Sequence, residues 1–204
     1  MCYDDSMTTI AVCNLKGGVG KTTTSVHLAA VTPCNCPTVL IDSDPQGGAA
    51  EWLDDLQLPN LEYVEAPSAR TLRSALSRVG GKLIIIDTPP GQPEIAMAAL
   101  EAADAVLIPT RAGVLEIQRV ALTLRLVPAG TPHYLLLTAA NTRTLVHRET
   151  VQAWTEAGET IIGTIRARTA ITAGTELDPQ ACAEYEIVLS TLLAQLNTSQ
   201  HHTA

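Results

Sequence analysis

The 204-residue chain has no phenylalanine and only 3% aromatic residues, so its interior must be filled by aliphatic side chains. No apolar run approaches the roughly 20 residues that cross a bilayer, which excludes a membrane-spanning helix. The last basic residue is Arg168, and the segment Glu184 to Leu196 carries neither Lys nor Arg. A C-terminal helix that lies on anionic lipid needs a basic face, so this one is expected to pack against the protein and no membrane partner is expected. Five cysteines, Cys2, Cys13, Cys34, Cys36 and Cys182, form an odd set without regular spacing, which excludes a disulfide framework. They are read as small buried or surface residues. Residues 1–7 are short and acidic and read neither as a signal peptide nor as a helix-turn-helix. Repeats, low-complexity tracts and linkers are all missing.

What is present is 46% hydrophobic content, enough for one sizeable core. We expect a single domain over residues 8–197, with short tails at 1–7 and 198–204. Apolar runs at 8–13, 38–41, 83–86, 105–108, 134–137 and 161–165 predict buried parallel strands. Helical spacing is predicted at 22–31, 68–79, 94–103, 114–127, 145–157 and 179–196. Together they predict an α/β, doubly wound, mostly parallel sheet flanked by helices, of the P-loop NTPase type.

The stretch Asn14-Leu15-Lys16-Gly17-Gly18-Val19-Gly20-Lys21-Thr22-Thr23 stands between the first predicted strand and the first predicted helix. Gly17, Gly18 and Gly20 allow backbone conformations that let successive N–H groups converge on phosphate oxygens at a helix N-terminus. Lys21 would neutralise the β and γ phosphates, and the Thr22 hydroxyl would ligate Mg²⁺. The ordinary pattern asks for glycine at position 15, where Leu15 stands, and has no need of Lys16. Two further runs end in Asp42-Ser43-Asp44-Pro45-Gln46-Gly47 and in Asp87-Thr88-Pro89-Pro90-Gly91. Carboxylates at the carboxyl ends of parallel strands face the ligand-binding edge of such a sheet. There they can hold a metal-bound water or orient the attacking one, although a lone Asp after a strand is also a common turn former.

With these residues in place, the chain resembles the ParA family of partition ATPases, within the deviant P-loop group that includes MinD and the nitrogenase iron protein. The motifs are Lys16-Gly17-Gly18-Val19-Gly20-Lys21-Thr22-Thr23, Asp42 to Gly47, and Ile86-Asp87-Thr88-Pro89-Pro90, and the likeness runs over residues 8–196. The resemblance implies ATP and Mg²⁺ as cofactors and an ATP-dependent homodimer in which two subunits sandwich two nucleotides. Lys16 then matches the signature lysine that reaches the partner's phosphates, and Asp44 the residue that positions the attacking water. Asp42 matches the carboxylate near the metal and Asp87 the acid of the second switch. It further implies non-specific DNA binding in the ATP state, with release after hydrolysis. A centromere-binding partner, ParB-like or of the small ribbon-helix-helix type, would stimulate that hydrolysis, and the protein would be cytoplasmic and nucleoid-associated. The lack of a helix-turn-helix points to the short branch. Two other readings stay open: an ATPase that positions protein complexes or division factors, and an ATP-gated interaction module with little turnover.

The net charge of −8 is unevenly spread. Residues 111–168 hold seven arginines against four glutamates, so this stretch is +3 and the remainder −11. Exposed charges are screened beyond roughly 8 Å at physiological salt, so a local patch can outweigh the global sign. In the ParA family, basic residues of the C-terminal half bind DNA, which makes Arg143, Arg148, Arg166 and Arg168 candidates; scattered or internally paired arginines are the alternative. Asn141, beyond the strand at 134–137, is a candidate for the adenine, or else a turn former. Residues 168–175 are the candidate cover of that pocket.

Overall fold

The computed structural model describes residues 7–54, 56, 58–169 and 177–200. Seven strands, β1 (Thr8–Val12), β2 (Thr38–Asp42), β3 (Leu61–Glu65), β4 (Leu83–Asp87), β5 (Ala105–Thr110), β6 (His133–Ala140) and β7 (Ile161–Arg166), form one parallel sheet in the order β3-β2-β4-β1-β5-β6-β7. Between them run α1 (Lys21–Val31), α2 (Gly48–Asp54), α3 (Ala69–Leu76), α4 (Pro93–Ala102), α5 (Val114–Leu124) and α6 (Leu145–Glu156), and α7 (Pro179–Gln200) closes the chain. The expected doubly wound α/β architecture is therefore the one observed, and the sheet is parallel throughout.

Alternation along β1 shows why the strand sequences read as unbroken apolar runs. Ile10 and Val12 belong to a core shared with Val26 and Leu28 of α1 and Leu189 and Leu192 of α7. Ala11, by contrast, packs with Leu72 of α3, Ile95 and Leu100 of α4, Val120 of α5 and Trp154 of α6. Both faces of a central strand are covered, so neither set of alternate residues can be polar. Cys13 and Cys36 are buried within these cores, as small apolar residues are.

Two elements, α2 and β3, have no counterpart among the predicted ones. The sequence Leu-Glu-Tyr-Val-Glu of β3 is nowhere fully buried, because the strand sits at the sheet edge, and its two glutamates discourage further strand pairing. A run diluted in this way lacks the apolar density that marks the central strands. At the other side, α7 lies directly on β7: a Cβ on Gly163 would come within 2.5 Å of the Val188 side chain. The same helix runs past the expected end at residue 196 to Gln200.

The order of strands positions the site. From β1 the chain winds outward to β2 and β3, returns to β4, then crosses to β5 on the far side of β1. The winding reverses around β1, and a crevice opens at the carboxyl ends of the strands where it does so. No described helix is long and apolar enough to cross a membrane.

Candidate functional site

The glycine-rich stretch leaves β1 and turns into α1 as the sequence predicts. Gly18 (φ 71°) and Gly20 (φ 89°) adopt left-handed backbone conformations that residues with a Cβ rarely reach. Asn14, fully buried, secures the start of the loop: its side-chain amide donates to the Pro109 carbonyl (2.9 Å) and its Oδ1 accepts from the Lys16 N–H (2.9 Å). Thr138 of β6 secures the other end, its hydroxyl lying 2.8 Å from the Val19 carbonyl and 3.1 Å from that of Thr110. Lys21 is buried, and its ammonium donates to the Lys16 carbonyl at 3.0 Å. Burial pushes its pKa down, against the pull of Asp87 above all.

Asp42 and Asp87 face each other in register on neighbouring strands, and both are buried. Their surroundings differ. Asp42 accepts from the N–H of Asp44 (2.9 Å) and Ala49 (3.2 Å) and from the Tyr63 hydroxyl (3.2 Å), so its two oxygens organise the turn that carries Asp44. Asp87 accepts from Ser25 through one oxygen (3.1 Å), while the other is buried with no hydrogen-bond partner among the described residues. Its pKa rises to about 7: burial is the main cause and Asp42 adds to it, while the Thr22 and Ser25 hydroxyls and Lys21 oppose it. A buried, unpaired carboxylate oxygen fits a hydrated Mg²⁺ held jointly with phosphates, since that ion keeps several waters and takes few protein ligands. Of the two carboxylates expected near the metal, Asp87 keeps a free oxygen and Asp42 does not. Asp44, half-buried, borders the cleft, and its Oδ1 accepts from the Gln46 N–H (2.9 Å).

Lys16 departs from its own loop. Its ammonium is paired with Glu116 in the first turn of α5, where the lysine side chain is 38% exposed and the glutamate 11%. The second Glu116 oxygen is buried without a hydrogen-bond partner among the described residues. The residues bordering the cleft begin at Gly17, so Lys16 stands on the rim rather than over the phosphate seat.

A cleft of about 410 Å³ runs from Gly17–Thr23 to the ends of β6 and β7. Away from the loop it is bordered by Ala139, Ile165, Ala167 and Tyr185, none of which motif reading singled out. Ala139 has φ 46°, at a register shift between β6 and β7 beside the cleft. Asn141 is not among the bordering residues; it is exposed, and its side chain accepts from the Arg143 N–H (3.2 Å) as a turn former does. Residues 170–175 of the expected cover lie outside the described residues.

The four candidate arginines divide. Arg143 and Arg148 are exposed at the start of α6. The Arg166 side chain is 69% exposed and lies 3.9 Å from Glu184. Arg168 is 13% exposed and held by Glu184 through two hydrogen bonds (2.8 and 2.7 Å) and by Asp178 at 3.4 Å, so it is internally paired. Arg111, Arg166 and Arg168 all border the cleft.

A glycine-rich loop at the reversal point of a parallel sheet, with a buried lysine and paired strand-end aspartates, defines a P-loop nucleotide-binding protein. The CobQ/CobB/MinD/ParA nucleotide binding domain matches residues 10–179, and the chain belongs to that family, with relatives among the ParA/Soj partition ATPases. It is 39% identical over 141 residues to the maintenance of carboxysome distribution protein A of Gloeobacter kilaueensis, covering 67% of this chain and 65% of that protein. The chain thus spans just under two thirds of that relative's length. It is 32% identical to the chromosome-partitioning ATPase Soj of Thermus thermophilus, covering 78% of this chain and 80% of Soj. Among solved structures, a plasmid partition protein of Borrelia burgdorferi bound to AMPPNP superposes with a TM-score of 0.77 at 20% identity, over 93% of this chain and all of the other. Apo McdA from Cyanothece gives 0.74 at 22% identity, over 92% of this chain and all of the other. These two share the fold.

Proposed function

We propose that the protein is an Mg²⁺-dependent ATPase that dimerises on ATP, binds DNA without regard to sequence in that state, and lets go after hydrolysis. The observation that carries this reading is the separation of the two loop lysines. Lys21 is buried within the loop, where it would serve its own nucleotide, whereas Lys16 is half-exposed and held by Glu116. Phosphoryl transfer is accelerated by positioning and by cancelling charge, and a cation supplied in trans is worth about three to five decades in rate. Lys16 would take that part by exchanging Glu116 for the phosphates of a second subunit. Asp87, through its unpaired oxygen, and the Thr22 hydroxyl would hold Mg²⁺, which when bound draws charge from the phosphates. Asp44, carried on the turn that Asp42 fixes, would orient the water. The base would fill the apolar far end of the cleft. DNA would meet Arg143, Arg148 and Arg166, and a ParB-like or small ribbon-helix-helix partner would stimulate turnover.

The test is light scattering with Mg²⁺ and a non-hydrolysable ATP analogue. Wild type is expected to pass from monomer to dimer. Lys16→Ala should bind the analogue with little change yet stay monomeric and lose most of its turnover; an unaltered dimer would overturn the role in trans.

For the cargo a second reading has its own support: the 39% identity to a carboxysome distribution protein favours a protein complex as cargo beside a plasmid or chromosome. The same ATPase cycle serves both. Co-purification with a carboxysome-type shell, against co-purification with a centromere-binding protein, separates them.

A further inference from the structure

Beyond the phosphate loop, the two walls of the cleft are tied to one helix by two consecutive residues. Glu184 of α7 accepts from the backbone N–H of Arg166 (3.1 Å) and from both terminal nitrogens of Arg168 (2.8 and 2.7 Å). Arg168 also donates to the Arg166 carbonyl (3.3 Å) and is paired with Asp178 (3.4 Å). The segment Arg166-Ala167-Arg168, which borders the cleft, is thereby fastened to the start of α7. The next residue, Tyr185, is 1% exposed, itself borders the cleft, and meets the Thr24 hydroxyl of α1 at 3.1 Å, one residue beyond the phosphate seat. Helix α7 therefore spans from the helix that opens at the phosphates to the strand end that walls the opposite side.

We propose that Glu184 and Arg168 are positioning residues for the nucleoside end of the cleft, making α7 the brace that sets affinity for the base and ribose independently of the triphosphate seat. This rests on the nucleotide-binding reading above. The chemistry is that of a fork and carboxylate: a bidentate guanidinium–carboxylate pair is directional as well as strong, so it fixes the strand end in place as well as drawing it near. Both partners are mostly withdrawn from water, at 13% and 21% side-chain exposure, where such a pair is screened less than at the surface. The phosphate seat, by contrast, is held by Asn14 and Thr138, which α7 does not touch through any of these bonds.

Two probes separate the ends of the cleft: ATP, which needs both, and inorganic tripolyphosphate, which needs the phosphate seat alone. In Glu184→Gln, and independently in Arg168→Lys, calorimetry in the presence of Mg²⁺ should show ATP affinity weakened about tenfold, the scale of one lost charge-assisted bond. Tripolyphosphate affinity should stay within about twofold of wild type, and kcat at saturating ATP should fall less than kcat/KM. Glu184→Asp, which keeps the charge, should recover part of the loss. Equal weakening of both probes would mean a general loss of structure and would overturn the proposal, as would unchanged ATP affinity in a folded variant. Wild type that bound neither probe would instead remove the nucleotide reading, and this inference with it.

Discussion

The two ends of the cleft are built on opposite plans. At the proposed phosphate end one continuous stretch, Gly17 to Thr23, offers backbone N–H groups, a buried lysine and two hydroxyls, and the side chains of Asn14 and Thr138 help to hold it in shape. At the other end, Ala139, Ile165, Ala167 and Tyr185 come from β6, β7, the segment after it and α7, and their positions depend on bonds between elements far apart in the chain. A ligand whose charge is constant can be met by a local backbone motif. On the proposed reading a flat base has no such motif and would be received by a surface assembled through packing. The paired aspartates also differ: three protein donors engage both oxygens of Asp42, whereas one oxygen of Asp87 has no hydrogen-bond partner among the described residues.

The comparison can be broken at either end. Removing the cation of the phosphate seat should have the largest effect: Lys21→Ala is expected to lose ATP and tripolyphosphate alike by about a hundredfold or more, since charged hydrogen bonds are at stake. Retained ATP affinity in calorimetry would show that the loop is not the seat. Next comes Gly163→Val, which drives a side chain into Val188 and should lift α7 from β7. Overpacking of this kind costs about 1 to 3 kcal/mol, to be read from urea unfolding. If α7 is the brace, this variant should also weaken ATP more than tripolyphosphate. The smallest effect is expected on the outer surface. Arg143→Glu should lower the salt slope of DNA binding by about 0.9 for the phosphate contact removed. The loss should be the same across DNA sequences, and a sequence-selective loss in a filter-binding series would argue against backbone contacts.

Much of the fold was open to inspection in the chain alone, and for a physical reason. A parallel sheet covered on both faces forces its central strands to be apolar throughout, so runs such as Leu83 to Ile86 announce themselves. β3 escaped because an edge strand is only half covered and mixes Glu62 and Glu65 with Leu61 and Val64. In the site, Lys21, Thr22 and the aspartates belong to contiguous motifs and were visible. Tyr185 was not, because nothing in Ala183-Glu184-Tyr185-Glu186 distinguishes an aromatic residue at a cleft from one in a core. The sequence leaves Arg168 open between a DNA contact and an internally paired arginine because the partners that hold it, Asp178 and Glu184, follow it by ten and sixteen positions, with no local pattern linking them. Asn141 likewise proved to be a turn residue in geometry, since the hydrogen bond to Arg143 is invisible until the backbone is in place.

Sequence by itself determined the doubly wound α/β class, six of the seven described strands and the glycine-rich loop between the first strand and helix, because each is encoded by short-range patterns: apolar runs, glycines where φ is positive, and a lysine at a fixed offset from them. Only the tertiary structure decided that Asp42 shapes a turn while Asp87 keeps an oxygen free, that Lys16 is held by Glu116, and that Glu184 and Tyr185 join the two walls of the cleft. Those assignments depend on which donors and charges meet across the molecule, and a side chain's partner a hundred residues away leaves no trace in its neighbours along the chain.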